Sequence, residues 1–147
     1  LDSLDKMSGN NSMKISGYTD EMGRNTISFN GSNGSWNFSG GRDLEFYVKI
    51  TEISDPSYFS VNLNDNQGNL YYWDHTYDLI NMPLNEWNEV RINMFNPKGF
   101  EGNHTPDMNA ITRLSIYMYA RPNSSINYNL DYFRLVPTLS YIYYEYN

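Results

Sequence analysis

Asp43-Leu44-Glu45-Phe46-Tyr47-Val48-Lys49-Ile50 is the stretch that decides the fold. Leu44, Phe46, Val48 and Ile50 fall on one side of an extended chain, and Asp43, Glu45, Tyr47 and Lys49 on the other. Successive side chains leave an extended backbone in opposite directions, so a period of two sustained this long marks a half-buried strand. A helix would scatter the same apolar residues around its circumference.

The pattern recurs in both directions. Upstream, Met13 and Ile15 alternate, Thr26-Ile27-Ser28-Phe29 forms a second short run, and Trp36 with Phe38 suggests a third. Downstream, Phe59, Val61 and Leu63 alternate against Tyr58, Ser60, Asn62 and Asn64. Asp65-Asn66-Gln67-Gly68-Asn69 reads as a tight turn, because Asn and Gly tolerate left-handed backbone, and Leu70 to Trp73 returns as the hairpin partner. Asn85 to Glu89 leads into Val90, Ile92 and Met94, and Leu114, Ile116 and Met118 alternate against Ser115, Tyr117 and Tyr119. Ile126, Tyr128 and Leu130 then change phase towards Phe133, Leu135 and Val136, which predicts a bulge or a doubly covered edge near Tyr132-Phe133. The longest loops are expected at Asp74 to Glu86 and Asn96 to Asn109, with a short helical turn over Asp107 to Thr112. No amphipathic helix is legible. Eight or nine short strands at this spacing predict an all-β, antiparallel two-sheet β-sandwich, with a closed barrel as the alternative. Pro137 is expected to end the sandwich, giving a domain over 1–137 and a Tyr-rich strand or link to a following module over 138–147.

Composition narrows the function. The chain has 147 residues, which suits one domain. Lys+Arg 10 against Asp+Glu 17 gives a net charge of −7. Nonspecific nucleic-acid binding rests on basic side chains, so no nucleic-acid partner is expected. No apolar run approaches the ~20 residues that a membrane-spanning helix needs, and no membrane insertion is expected. The chain begins at Leu1 rather than Met, which reads as a fragment or a processed product. With no Cys, disulfides, thiolate metal sites and thiol chemistry are excluded. Aromatic residues make up 16%, including 14 Tyr, while charged residues are only 18%, which argues against disorder. Tyr and Asn held on a rigid frame suit a neutral polar ligand.

If the alternating apolar residues face a second sheet, the opposite faces present Tyr47, Asn62, Arg91, Tyr117 and Tyr119, with Trp73 joining from the hairpin. A sugar needs an aromatic ring beneath its C–H face and amides or a guanidinium for its hydroxyls. The same residue types dominate protein-contact surfaces and also stabilise ordinary solvated sheets. The loops Tyr72 to Tyr77, with Trp73-Asp74-His75 at its centre, and Phe100 to Asp107 are alternatives for the site, while Trp36 and Trp87 are expected to be buried. Catalysis finds little support. Hydrolysing a glycosidic bond takes two carboxylates facing one groove. Glu86 and Glu89 would point to opposite sides of an extended chain, and no nucleophile elbow or phosphate loop is present. The chain therefore reads as non-enzymatic.

Four segments carry a family resemblance: Val61 to Tyr71, Asn85 to Ile92, Ile111 to Ile116, and Leu130-Asp131-Tyr132-Phe133-Arg134-Leu135-Val136. Their order resembles the carbohydrate-binding-module-like, galactose-binding-like jelly rolls appended to secreted glycan-active enzymes and phage tail proteins. The resemblance covers most of Asp43 to Val136 and implies an antiparallel sandwich of five strands on four, or a similar division. It implies a non-catalytic module that targets a larger extracellular, secreted or virion-surface protein to a polysaccharide or oligosaccharide, with other domains of the same polypeptide as partners. The alternative is a structural or assembly module of a phage tail or surface protein. The resemblance also implies one structural Ca2+, with Asp131 as a ligand and Asp2 or Asp5 supplying others, since calcium collects oxygen donors.

Overall fold

The structure is a computed structural model that describes residues 12–31, 34–39 and 42–137; for residues 42, 74–78 and 137 only the backbone is described. Two antiparallel sheets face each other. One contains β1 (Met13–Tyr18), β9 (Ser125–Pro137), β3 (Arg42–Glu52) and β6 (Asn88–Asn93), in that order. The other runs β2 (Arg24–Asn30), β8 (Ile111–Tyr119), β4 (Tyr58–Asp65), β5 (Leu70–Asp78) and β7 (Gly99–Glu101). This is the two-sheet sandwich that the alternation predicts, in the jelly-roll form of five strands on four that the resemblance implies.

The apolar face of each strand turns inwards. Leu44, Phe46, Val48 and Ile50 of β3 meet Phe59, Val61 and Leu63 of β4 and Leu114, Ile116 and Met118 of β8 in one continuous core. Phe46 is fully buried, with its ring edge-on to Phe59 at 6.2 Å and stacked on Phe133 at 4.9 Å. Phe133 can reach that place because of the phase change in β9. Tyr47 pairs with Asp131 and Glu45 with Arg134, so two β9 residues oppose Phe46 alone. Tyr132 takes φ 60 there, and the extra residue returns Phe133 to the core face.

The sheets are also joined by a polar bond. Tyr128 is fully buried, and its phenol donates to Asn25 Oδ1 of β2 at 2.9 Å. Burial pushes that phenol far above its ordinary pKa. Removing only the hydroxyl, Tyr128→Phe, leaves the Asn25 acceptor without this donor. It should destabilise the domain by about 1–2 kcal/mol, read from the urea midpoint at unchanged m.

Several boundaries differ from the sequence expectation. Trp36 and Phe38 form no strand; Trp36 makes a single bridge to Ile111. Trp36 and Trp87 are half-buried, because each sits at a sandwich rim. Asp74 to Asp78, expected as loop, prolong β5, and a 3-10 turn follows at Leu79–Asn81. The second long loop contains β7. Over Asp107 to Thr112 there is a turn, closed by the Ala110 amide donating to the Asp107 carbonyl, rather than a helix. The segment 138–147 lies outside the described residues.

Candidate functional site

The outward face of the five-stranded sheet collects the polar halves of β2, β8 and β4. Register sets Tyr117 between Thr26 and Ser60, and Ser115 between Ser28 and Asn62. Tyr72 follows beside Asn62 on β5. At one end of this array the Tyr58 and Tyr119 rings stack at 4.4 Å with planes 20° apart. Short hydroxyl side chains form the floor: Ser60 and Ser115 are buried despite pointing outwards. Ser28 and Ser115 share a hydrogen bond of 2.8 Å, and the Ser60 hydroxyl donates to Asn62 Oδ1 at 3.5 Å. The Nδ2 of Asn62 and the side-chain amide of Asn64 have no partner among the described residues. The result is a polar floor flanked by flat rings. At the far side, Gly99 lets the Tyr72 ring lie against β7, since a Cβ there would stand 2.4 Å from its Oη.

The hairpin expected at Asp65 to Asn69 closes one end of this sheet. Asp65 Oδ1 accepts the amides of Gln67 and Asn69, and Oδ2 accepts Asn69 Nδ2 and the Asp107 amide. Asn69 Oδ1 in turn accepts the amides of Asn103 and His104. Gly102 passes so close that a Cβ would meet Asn69 Oδ1 at 2.4 Å. One carboxylate and one amide thereby hold the loop after β7 against the β4–β5 turn. Burial pushes the Asp65 carboxyl up, but the hydrogen bonds from Asn69, Asp107 and Gln67 outweigh it and hold it below the ordinary aspartate range.

The sequence-derived residues divide between two faces. Asn62, Tyr117 and Tyr119 share the face just described. Tyr47 and Arg91 lie on the outward face of the four-stranded sheet, across the core from it, where they belong to a ladder of charges. Arg91 Nε meets Asp43 Oδ2 at 2.7 Å, and its Nη1 lies 3.6 Å from Glu45 Oε2. Arg134 Nη2 holds Glu45 Oε1 at 2.6 Å, and its guanidinium lies over the Tyr132 ring. Tyr47 packs at 6.0 Å from Tyr132; burial, then the carboxylates of Glu89 and Glu45, raise its phenol pKa.

Trp73 requires a correction. It pairs with Val61 and is 4% exposed, so it is part of the core and closed to a ligand. Its indole N–H donates to the Asn93 carbonyl at 3.1 Å. Leu70 to Trp73 has large side chains at every position, so its alternation could not reveal which face turns inwards. Tyr58 is absent from the residues expected at the site, and Tyr72 enters there only through the loop alternative. Their place beside Tyr119 and Asn62 depends on cross-strand pairing.

Of the expected calcium ligands, Asp2 and Asp5 lie outside the described residues. Asp131 Oδ1 accepts the Tyr132 amide at 2.7 Å. Among the described residues no three of His, Asp and Glu gather as a metal site. A separate pocket of about 610 Å³ opens at one end between the sheets, with an apolar lining that includes Phe29, Trp36, Phe38, Leu114 and Phe133.

No protein-family model matches the sequence, and no curated protein matches it. Solved structures do match the fold. The chain superposes on an agarase, AgWH50C, with a TM-score of 0.64 and 13% identity, over 89% of this chain and 22% of that one. A structure described for the promiscuous specificity of carbohydrate-binding modules from the β-sandwich superfamily gives a TM-score of 0.63 and 10% identity, over 91% of this chain and 50% of that one. A family 11 carbohydrate-binding module from Clostridium thermocellum, in complex with a β-1,3-1,4-mixed-linked tetrasaccharide, gives 0.58 and 18%, over 89% of this chain and 78% of that one. The chain thus spans between about a fifth and a half of the first two structures. Its fold is the two-sheet jelly roll that these structures share.

Proposed function

We propose that this domain is a non-catalytic carbohydrate-binding module that holds a larger secreted or surface protein on a glycan. The ligand lies along the outward face of the five-stranded sheet. The observation that carries this reading is the stacked Tyr58–Tyr119 pair beside Tyr117 and the open amides of Asn62 and Asn64. Rings of this kind take the C–H face of a sugar, and amides serve its hydroxyls in both directions. The fold supports the reading, because one structure it resembles is that of a module holding a tetrasaccharide. β2 and β8 contain no Asp or Glu, so two of the face's strands lack the carboxylates glycoside hydrolysis requires.

A glycan array followed by calorimetry tests this. Tyr119→Ala, with its unfolding transition retained, should bind the selected glycan about tenfold more weakly. Tyr47→Ala, on the opposite face, should bind like the parent protein. The reverse pattern would move the site to the four-stranded sheet, and no binding by folded protein would favour an assembly module.

A further inference from the structure

Resting on that reading of the face, we propose that its glycan is acidic and that Arg113 receives the carboxylate or sulfate it carries. The whole chain has 17 acidic and 10 basic residues. Three strands of the candidate face, β2, β8 and β4, reverse this balance. β2 and β8 hold Arg24 and Arg113 and no carboxylate. The one acid of β4, Asp65, is buried with both oxygens engaged. Arg24 is already neutralised, since its Nε meets Asp20 Oδ2 at 3.0 Å. Arg113 is exposed and has no ion pair or side-chain hydrogen bond among the described residues. Its cross-strand neighbours are Asn30 and Asn64, which carry no charge.

The other acids of this sheet, Asp74, Asp78 and Glu101, belong to β5 and β7. Glu101 lies three strands from Arg113 through Leu70 and Asn64, about 14 Å at ordinary strand spacing. A cation that guards against edge-to-edge pairing belongs on an edge strand, whereas β8 lies between β2 and β4. A guanidinium offers a planar fork that matches a carboxylate or a tetrahedral oxyanion. Tyr117 lies four residues along β8, about 14 Å away. A ligand spanning both is an oligosaccharide, with a sugar on the rings and its acidic group at Arg113. At physiological salt the Debye length is about 8 Å, so this local contact outweighs the repulsion of a chain of net charge −7.

The test is calorimetry on matched polymers. Polygalacturonate is compared with its methyl ester, and a sulfated galactan with its desulfated form. The first pair reports a carboxylate and the second a sulfate. At least one acidic member should bind about tenfold more tightly than its neutral partner. Arg113→Gln should bring that ratio close to one, and Arg113→Lys should restore part of it, each with an unchanged unfolding transition. Equal affinity for both members of each pair would overturn the acidic assignment and leave the glycan reading standing. So would an acidic preference that survives Arg113→Gln. Absence of binding to any glycan by folded protein would overturn both.

Discussion

Asp65→Ala is expected to destabilise the domain by about 3 kcal/mol, lowering the melting temperature by roughly 10 °C. Asp65 is 4% exposed, and its two oxygens accept four hydrogen bonds. Alanine removes every acceptor at once and leaves four donors without these partners, among them the amide of the buried Asn69. The effect also extends beyond the turn, because Asn69, which Asp65 orients, holds the amides of Asn103 and His104. Proteolysis within Gly102 to Asp107 should therefore speed up in the variant at temperatures where the parent protein resists. The deficit should depend on pH. The folded Asp65 carboxyl has a pKa below its ordinary value, so protons bind more readily to the unfolded chain. Its contribution to stability is fully present above about pH 4, the unfolded value. It is lost as pH falls through the depressed folded value. Melting curves of parent and variant should converge in that acid range. A constant difference from neutral to acid pH would mean that the carboxylate's charge has no part in the clamp.

Phe46→Ala is expected to cost about 4 kcal/mol, read from denaturant midpoints at unchanged m. Phe46 is at the centre of the core, fully buried, between Phe59 of the opposite sheet and Phe133 beyond the β9 bulge. Loss of the ring forfeits its transfer free energy and leaves a cavity that two stiff sheets cannot collapse. Phe46→Leu, which keeps most of the volume, should cost far less. A small effect of alanine would mean that Phe133 swings into the space. That outcome would be visible as a change around Tyr132, whose left-handed backbone sets the direction of Phe133.

Much of this was legible in the residues. The strict alternation of Asp43 to Ile50 and of Tyr58 to Asn64 yields the strands and their inner faces, because two-residue periodicity is a local property of extended backbone. Asp65 to Asn69 announces its turn through side chains that bond to nearby amides. The bulge in β9 shows as a broken phase, since one extra residue reverses every side chain beyond it.

Three matters lay beyond the residue pattern, each for the same physical reason. Alternation says which side chains share a face within one strand, but it does not say which strands share a sheet. Tyr47, Arg91, Tyr117 and Tyr119 all point away from the core, yet β3 and β6 pair in one sheet and β8 in the other, so the two groups face opposite directions. Leu70 to Trp73 is bulky on both sides, and only its pairing with Val61 and Leu63 carries Tyr71 and Trp73 inwards and leaves Tyr72 beside Asn62. Arg113 is one of 10 basic residues in the sequence. What sets it apart is a surrounding of uncharged partners from β2 and β4, residues more than forty positions away in the chain. The residue pattern determined the strands, their inner faces and the turns. Non-local pairing decided which outward residues stand together, and with that, the composition of the surface available to a ligand.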